Sequence, residues 1–215
     1  MNPRLRSLLL STLGAASLAA SLSACVPLMV GGAVGTALVA TDRRTSGAQL
    51  EDQGIELKGG QRLREILGER GHVNLTSFNR TVLITGEVPT AEDKAAVERA
   101  VGQLDNVKGV VNDLGIGPVS SIGARSNDGL ITTKVKGRFV ESQDLLSNAV
   151  KVVTERSVVY LMGRVTEREA KRATDLARGT TGVQKVVTVF DLISEDELAR
   201  ISAPAPSSAA TPSKP

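Results

Sequence analysis

Val73-Asn74-Leu75-Thr76-Ser77-Phe78-Asn79-Arg80-Thr81-Val82-Leu83-Ile84-Thr85-Gly86-Glu87-Val88 returns in constant register 77 residues later as Val150-Lys151-Val152-Val153-Thr154-Glu155-Arg156-Ser157-Val158-Val159-Tyr160-Leu161-Met162-Gly163-Arg164-Val165. Each copy reads as two β-rich runs around a polar turn, Asn79-Arg80 in the first and Arg156-Ser157 in the second. Each run also carries a late glycine, Gly86 or Gly163, predicted to bend the chain out of the strand. Within each second run, alternate residues share a face, so Val159 and Leu161 are predicted to be buried together. A repeat of this length, in a chain of 215 residues that is 41% hydrophobic, predicts two small domains of one design.

The neighbouring sequence extends the repeat in both directions. Downstream, Thr90 with Asp93 and Thr166 with Glu169 supply the cap spacing of a helix start. Good helix formers follow: Ala91, Ala95, Ala96, Ala100 and Leu104 in one copy, Ala170, Ala173, Leu176 and Ala177 in the other. After one residue of slippage, short apolar strands are predicted near residues 107–111 and 183–187. Upstream helices are predicted near residues 50–68 and 126–141, giving each unit the order α-β-β-α-β. Gly59-Gly60 lies inside the first of these and costs about 1 kcal/mol per glycine, so that helix is expected to be short or broken. Gly68 reads as its stop. The domains are therefore drawn at residues 48–117 and 123–193, with a short capped helix over 194–202 and a Pro/Ala/Ser-rich tail over 203–215 that is expected to be disordered.

The N-terminal segment runs from Arg4 and Arg6 through Leu8, Leu9, Leu10 and Leu13 into small residues ending Leu22-Ser23-Ala24-Cys25, the layout of a secretory signal. It resembles a bacterial lipoprotein signal, in which the thiol is diacylated and the preceding peptide removed. The resemblance implies loss of residues 1–24, a lipidated Cys25, and a linker through residue 47. A plain secreted protein and a spanning helix are the alternatives. The first does not need Cys at the cleavage site, and the second wants about 20 apolar residues without this dilution by Gly, Ser and Thr. In such lipoproteins Asp after the Cys signals inner-membrane retention; Val26 stands here, which implies the outer membrane. Residues 26–40 are apolar, with Gly31 and Gly35 in GxxxG spacing; they are short for a span and are expected to lie at the interface.

Composition narrows the function. Aromatics are 2% with no Trp, so cores must be aliphatic and ring-stacked ligands are disfavoured. Residues 48–116 hold 8 basic and 11 acidic side chains and residues 123–193 hold 12 and 8, a balance of −3 against +4. Acylation of the sole Cys removes the only thiol, and His72, the sole histidine, is placed at a strand start. No triad or metal set has candidates, so no enzyme, cofactor or metal is expected. Gly68-Glu69-Arg70-Gly71 fits the GXXG loop of KH domains, but it leads into a strand, so nucleic acid is not an expected partner.

The α-β-β-α-β unit resembles the BON domain, and the chain from Cys25 to about Ile193 is similar to the dual-BON outer-membrane lipoproteins of the DolP type. The resemblance is carried by Ala40-Thr41-Asp42-Arg43, by Ser126-Asn127-Asp128 with Ile131-Thr132-Thr133-Lys134-Val135, and by Leu161-Met162-Gly163-Arg164-Val165-Thr166-Glu167-Arg168-Glu169-Ala170-Lys171. It implies an α+β fold of two domains, each with two helices on a three-stranded mixed sheet. It also implies attachment to the periplasmic side of the outer membrane, recognition of acidic phospholipid by the second domain, and a role in envelope integrity with enrichment at division sites. The lipid site expected from it comprises Ser126, Asn127, Asp128, Gly129, Leu130, Thr133, Lys134, Lys136 and Gly137. Leu130 stands where the best-known members have Trp, and an aliphatic tip lacks the interfacial preference of an indole. Helical spacing puts Ile131, Val135 and Phe139 on a core face, and a helix start near Asn127 would offer free N–H groups to a phosphate. The bland alternative for the same face is a solvated helix. A second functional reading is an adaptor whose acidic first domain docks a periplasmic envelope protein.

Overall fold

The computed structural model describes residues 42–202; the signal, Cys25, the segment 26–40 and the tail 203–215 lie outside the described residues. The first domain runs α1 (Ser46–Leu67), β1 (His72–Phe78), β2 (Thr81–Val88), α2 (Ala91–Gly102), β3 (Gly109–Asn112) and β4 (Gly115–Ile116). The second runs α3 (Ile122–Glu141), a 3-10 turn (Ser147–Ala149), β5 (Val150–Glu155), β6 (Val158–Val165), α4 (Glu167–Arg178) and β7 (Lys185–Leu192), and α5 (Glu195–Ser202) closes the described chain. The fold is α+β. In each domain the middle strand pairs antiparallel with its hairpin partner and parallel with the strand that follows the second helix.

The hairpin turns are built as the repeat requires. Asn79 and Arg80 have φ of 49° and 68°, Arg156 and Ser157 have 51° and 60°, so both turns hold two left-handed residues without a glycine. A carboxylate from the preceding helix offsets that strain. Asp52 accepts from the backbone N–H groups of Asn79 and Arg80 at 2.8 and 2.7 Å, and Asp128 from those of Arg156 and Ser157 at 2.9 and 2.8 Å.

Glycine is read differently by the tertiary structure than by propensity. α1 runs 22 residues without a break. At buried Gly59 a Cβ would sit 2.5 Å from Leu75 Cδ1 and 3.2 Å from Leu104 Cδ1, so the missing side chain lets the helix lie close to its sheet. The expected break is thus corrected: packing outweighs about 1 kcal/mol of intrinsic cost. Gly86 and Gly163 do not end their strands either. Each stands inside one, where a Cβ would meet the carbonyl oxygen of His72 at 1.9 Å or of Ala149 at 2.4 Å. Gly68, at φ 56°, does cap α1, and His72 does open β1. The third strand of the first domain is split, because β3 and β4 pair with opposite ends of β2 around Asp113.

Each domain buries an aliphatic core between helices and sheet. Ile55, Leu63, Val82, Ile84 and Val97 lie in the first, and Ile131, Val135, Phe139, Val159 and Leu161 in the second. Val159 and Leu161 share a face as predicted. Their neighbours Tyr160 and Met162, facing the other way, are equally buried, in a third cluster with Phe78 and Leu83 of the first domain. The two sheets therefore pack face to face, with the helices outside. Polar contacts rim the seam: Tyr160 donates to Asp113 at 2.8 Å, Asn74 to Glu155 at 2.9 Å, Asn79 to Asp191 at 2.9 Å, and Lys151 meets Glu56 at 3.2 Å. Burial, with the Asp113 carboxylate second, pushes the Tyr160 hydroxyl well above its ordinary pKa.

Candidate functional site

Ser121, not a residue near Asn127, caps α3, its hydroxyl accepting from the Ala124 N–H at 3.1 Å. The free N–H groups lie in the turn from Ile122, so Ser126, Asn127 and Gly129 fall beyond it and cannot present the expected phosphate-binding turn. Asp128 departs further. Its side chain is buried and spent on the Arg156-Ser157 turn. The helix signal was present in Ser121-Ile122-Gly123-Ala124, but two glycines and a serine in the first two turns hid it.

The remaining expected residues do share a surface. Ser126, Asn127, Gly129, Leu130, Thr133, Lys134, Lys136 and Gly137 are all exposed, opposite the buried line Asp128, Ile131, Val135 and Phe139. The structure adds Ile122, Arg125 and Val140 to this outer face. Ile122 is 76% exposed, Leu130 60% and Val140 73%, three apolar tips spread along the 20-residue helix. Arg125, Lys134 and Lys136 flank them without an ion pair among the described residues. The only acid between residues 122 and 140 is the buried Asp128, so the outer face up to Val140 carries cations, apolar tips and neutral polar side chains but no exposed acid. A Cβ at Gly129 or Gly137 would meet nothing, so these glycines have no packing reason within the domain, unlike Gly59.

Two further arginines shape the seam. Arg43 places Nη1 and Nη2 each 2.7 Å from the two carboxylate oxygens of Glu169 and donates from Nη1 to the Arg164 carbonyl at 2.9 Å. Glu169 also closes the capping box of α4 with Thr166. Burial raises the Glu169 pKa, but the Arg43 fork and the Thr166 N–H outweigh it and hold the carboxyl below its ordinary value. Arg44 bridges Asp42 and Asp52, at 2.7 Å to each, and stands 4.3 Å over the Phe78 ring. Beside it, a groove of about 310 Å³ is lined by Asp42, Arg44, Phe78, Lys136, Val140 and Lys151 among others. No local pattern announces the Arg43–Glu169 pair, whose members lie 126 residues apart.

Among the described residues no group of His, Cys, Asp and Glu could hold a metal, and no helix is long and apolar enough to cross a membrane. What the geometry defines is a tandem α+β repeat protein whose two units share a frame and differ in the outer face of one helix. The chain belongs to the BON-domain family, whose model matches residues 60–118 and 127–193. It is 36% identical over 172 residues to the outer membrane lipoprotein DolP of Haemophilus influenzae, covering 79% of this chain and 89% of that one, and is a dual-BON protein of that type. It is also 28% identical over 154 residues to a 21 kDa hemolysin of Actinobacillus pleuropneumoniae, covering 71% and 79%. Among solved structures, CdsD, a structural protein of the Type III secretion system of Chlamydia trachomatis, matches at a TM-score of 0.28 and 12% identity, covering 68% of this chain and 98% of that one.

Proposed function

We propose that this protein is a non-enzymatic lipoprotein of the outer membrane, held on its periplasmic face through an acylated Cys25, whose second BON domain binds acidic phospholipid with the outer face of α3. The observation that carries the reading is the composition of that face: three cations without ion pairs interleaved with Ile122, Leu130 and Val140, and no exposed acid before Glu141. Each cation near an anionic leaflet contributes about 1 kcal/mol, and each apolar tip adds insertion. Gly129 and Gly137 keep the helix surface low between the tips, a cost in propensity that the domain's own packing does not require. The printed name of the Haemophilus relative, an outer membrane lipoprotein, supports the location. Envelope integrity, with enrichment at division sites, is the cellular role proposed for such a peripheral contact.

A tethered domain needs little intrinsic affinity. A flexible linker of the length that separates Cys25 from the domains gives an average span of about 25 to 30 Å, close enough that a contact too weak to hold from solution still selects lipid. Cosedimentation of the chain from residue 25 onward without acylation, at low salt and in excess lipid, with phosphatidylglycerol and with phosphatidylcholine vesicles tests the reading. Lys134→Glu with Lys136→Glu, and separately Leu130→Asp, should lose the acidic-lipid preference while remaining folded. Folded variants that sediment as the parent does would put the site elsewhere.

One observation favours the adaptor as a second reading. α1 exposes Leu50 and Leu57, at 70% and 69%, one heptad apart with Gly54 between them. That stripe suits a helix of a periplasmic envelope protein better than a charged lipid surface.

A further inference from the structure

We infer that Arg43 and Arg44 form a staple that fixes where the lipidated tether leaves the folded body, and that this point makes the anchored protein present the outer face of α3 to the bilayer. The inference rests on the lipoprotein reading for its anchor. Adjacent in sequence, the two arginines are held by different domains. Arg44 is bound to Asp52 of α1 and stacks on Phe78 at the end of β1, while Arg43 is bound by a bidentate fork to Glu169 at the start of α4 and to the Arg164 carbonyl in β6. The Arg43 and Glu169 side chains are only 8% and 5% exposed, so the fork is shielded from the solvent that makes surface pairs weak. The carboxylates at both ends of the staple, Asp52 and Glu169, have other structural duties, at the β1–β2 turn and in the α4 cap. The staple is therefore fastened to parts that do not move independently of their domains.

Chain continuity does the rest. The polypeptide toward Cys25 must depart from Asp42, and Asp42 shares its groove with Lys136 and Val140 of α3. An anchor pulling from that point brings the C-terminal half of the α3 face toward the membrane. It leaves α2, on the far side of the paired sheets, turned away. If residues 42–44 swung free, the tether would begin at α1 instead and every orientation of the domains would become accessible. Arg43 is thus a positioning residue: it touches no lipid and acts by restricting which face can.

The test uses the full acylated chain, in which acylation of Cys25 leaves no other thiol, with a single fluorophore placed through Gly137→Cys on α3 or Arg99→Cys on α2. Quenching by a headgroup-attached quencher is measured first in phosphatidylcholine vesicles, where acidic-lipid recognition plays no part. The parent should show several-fold stronger quenching at 137 than at 99, and Arg43→Ala should bring the ratio toward one. Glu169→Gln, which retains an acceptor for the α4 cap, should act in the same direction, so an unfolded Arg43 variant would not end the test. Equal quenching at the two sites in the parent, or a ratio unchanged in both folded variants, overturns the staple. Adding phosphatidylglycerol should raise the ratio further; if it does not, the lipid reading fails while the staple stands.

Discussion

Helices α1 and α3 hold the same place in the two domains, and what they share is on the inside. Asp52 and Asp128, 76 residues apart, each turn a buried carboxylate onto a hairpin with two left-handed residues, and each helix lays an aliphatic line on its own sheet. What differs is outside. α1 mixes Glu51, Lys58, Arg62, Arg64 and Glu65 around its leucine stripe and pairs Arg62 with Glu65 at 3.0 Å, whereas α3 shows Arg125, Lys134 and Lys136 without ion pairs, apolar tips, and no exposed acid before its last residue, Glu141. The repeat thus keeps one frame on the inside of both domains and leaves the solvent faces of the two helices to differ. This contrast contributes part of the charge balance of −3 against +4: α1 carries a net −1 and α3 a net +2.

The shared frame is where the largest effects are expected. Asp52→Ala leaves the Ser77 hydroxyl and two turn N–H groups without their acceptor and takes from Arg44 one of its two carboxylates, the other being Asp42, and should cost about 2 to 4 kcal/mol. Asp128→Ala, with no arginine to strand, should cost less, about 1.5 to 3 kcal/mol. Urea denaturation of both variants measures the difference, and an Asp128→Ala chain with unchanged stability but lost vesicle binding would return that residue to the lipid site. The same frame sets an acid limit. Burial raises the Asp52 pKa, but hydrogen bonds from Ser77, Arg80, Arg44 and Asn79 outweigh it and hold the carboxyl below 3.8, as the Arg43 fork and the Thr166 N–H hold Glu169 below 4.5. Since both folded values lie below the unfolded ones, the stability they contribute is complete above pH about 4.5 and is lost as pH falls through the folded values. The urea midpoint should therefore fall steeply only below about pH 4, and less steeply in Asp52→Asn.

The outer faces should separate next. Lys134→Glu with Lys136→Glu removes two surface cations, which at roughly 1 kcal/mol per cation lowers the affinity for phosphatidylglycerol vesicles by about 30-fold at low salt, and the two added anions lower it further. Arg62→Glu with Arg64→Glu on α1 makes the same charge change and should alter binding only slightly; equal losses from the two helices would mean that net charge, not the α3 face, drives the contact. The smallest effect sharpens the comparison through glycine. Gly129→Ala or Gly137→Ala should stabilise the chain by up to about 1 kcal/mol, since nothing obstructs a Cβ there, while Gly59→Ala should destabilise it by forcing Leu75 aside. Thermal melts of the three variants give the signs directly.

The sequence by itself determined the repeat, the order of elements in each domain, the positions of both hairpin turns, the capping threonines of α2 and α4, and the aliphatic inner face of α3. These are local facts: alternation, helical spacing and cap chemistry act over a few residues and are written there. It also put most of the expected residues on the exposed side of one helix, because an amphipathic face is itself a local pattern. Only the tertiary structure decided matters that depend on what comes near from elsewhere in the chain. Gly59 was a liability by propensity and became a packing surface because Leu75 lies against it; Asp128 lies off the outer face of α3 because a turn 28 residues onward takes its oxygens. Tyr160 and Met162 revealed the sheet-on-sheet seam, which alternation alone could not show, since a strand buried on both faces reads as a continuous apolar run. Arg43 found Glu169 across most of the chain, a pairing set by where two domains bring charges together and not by any spacing between them.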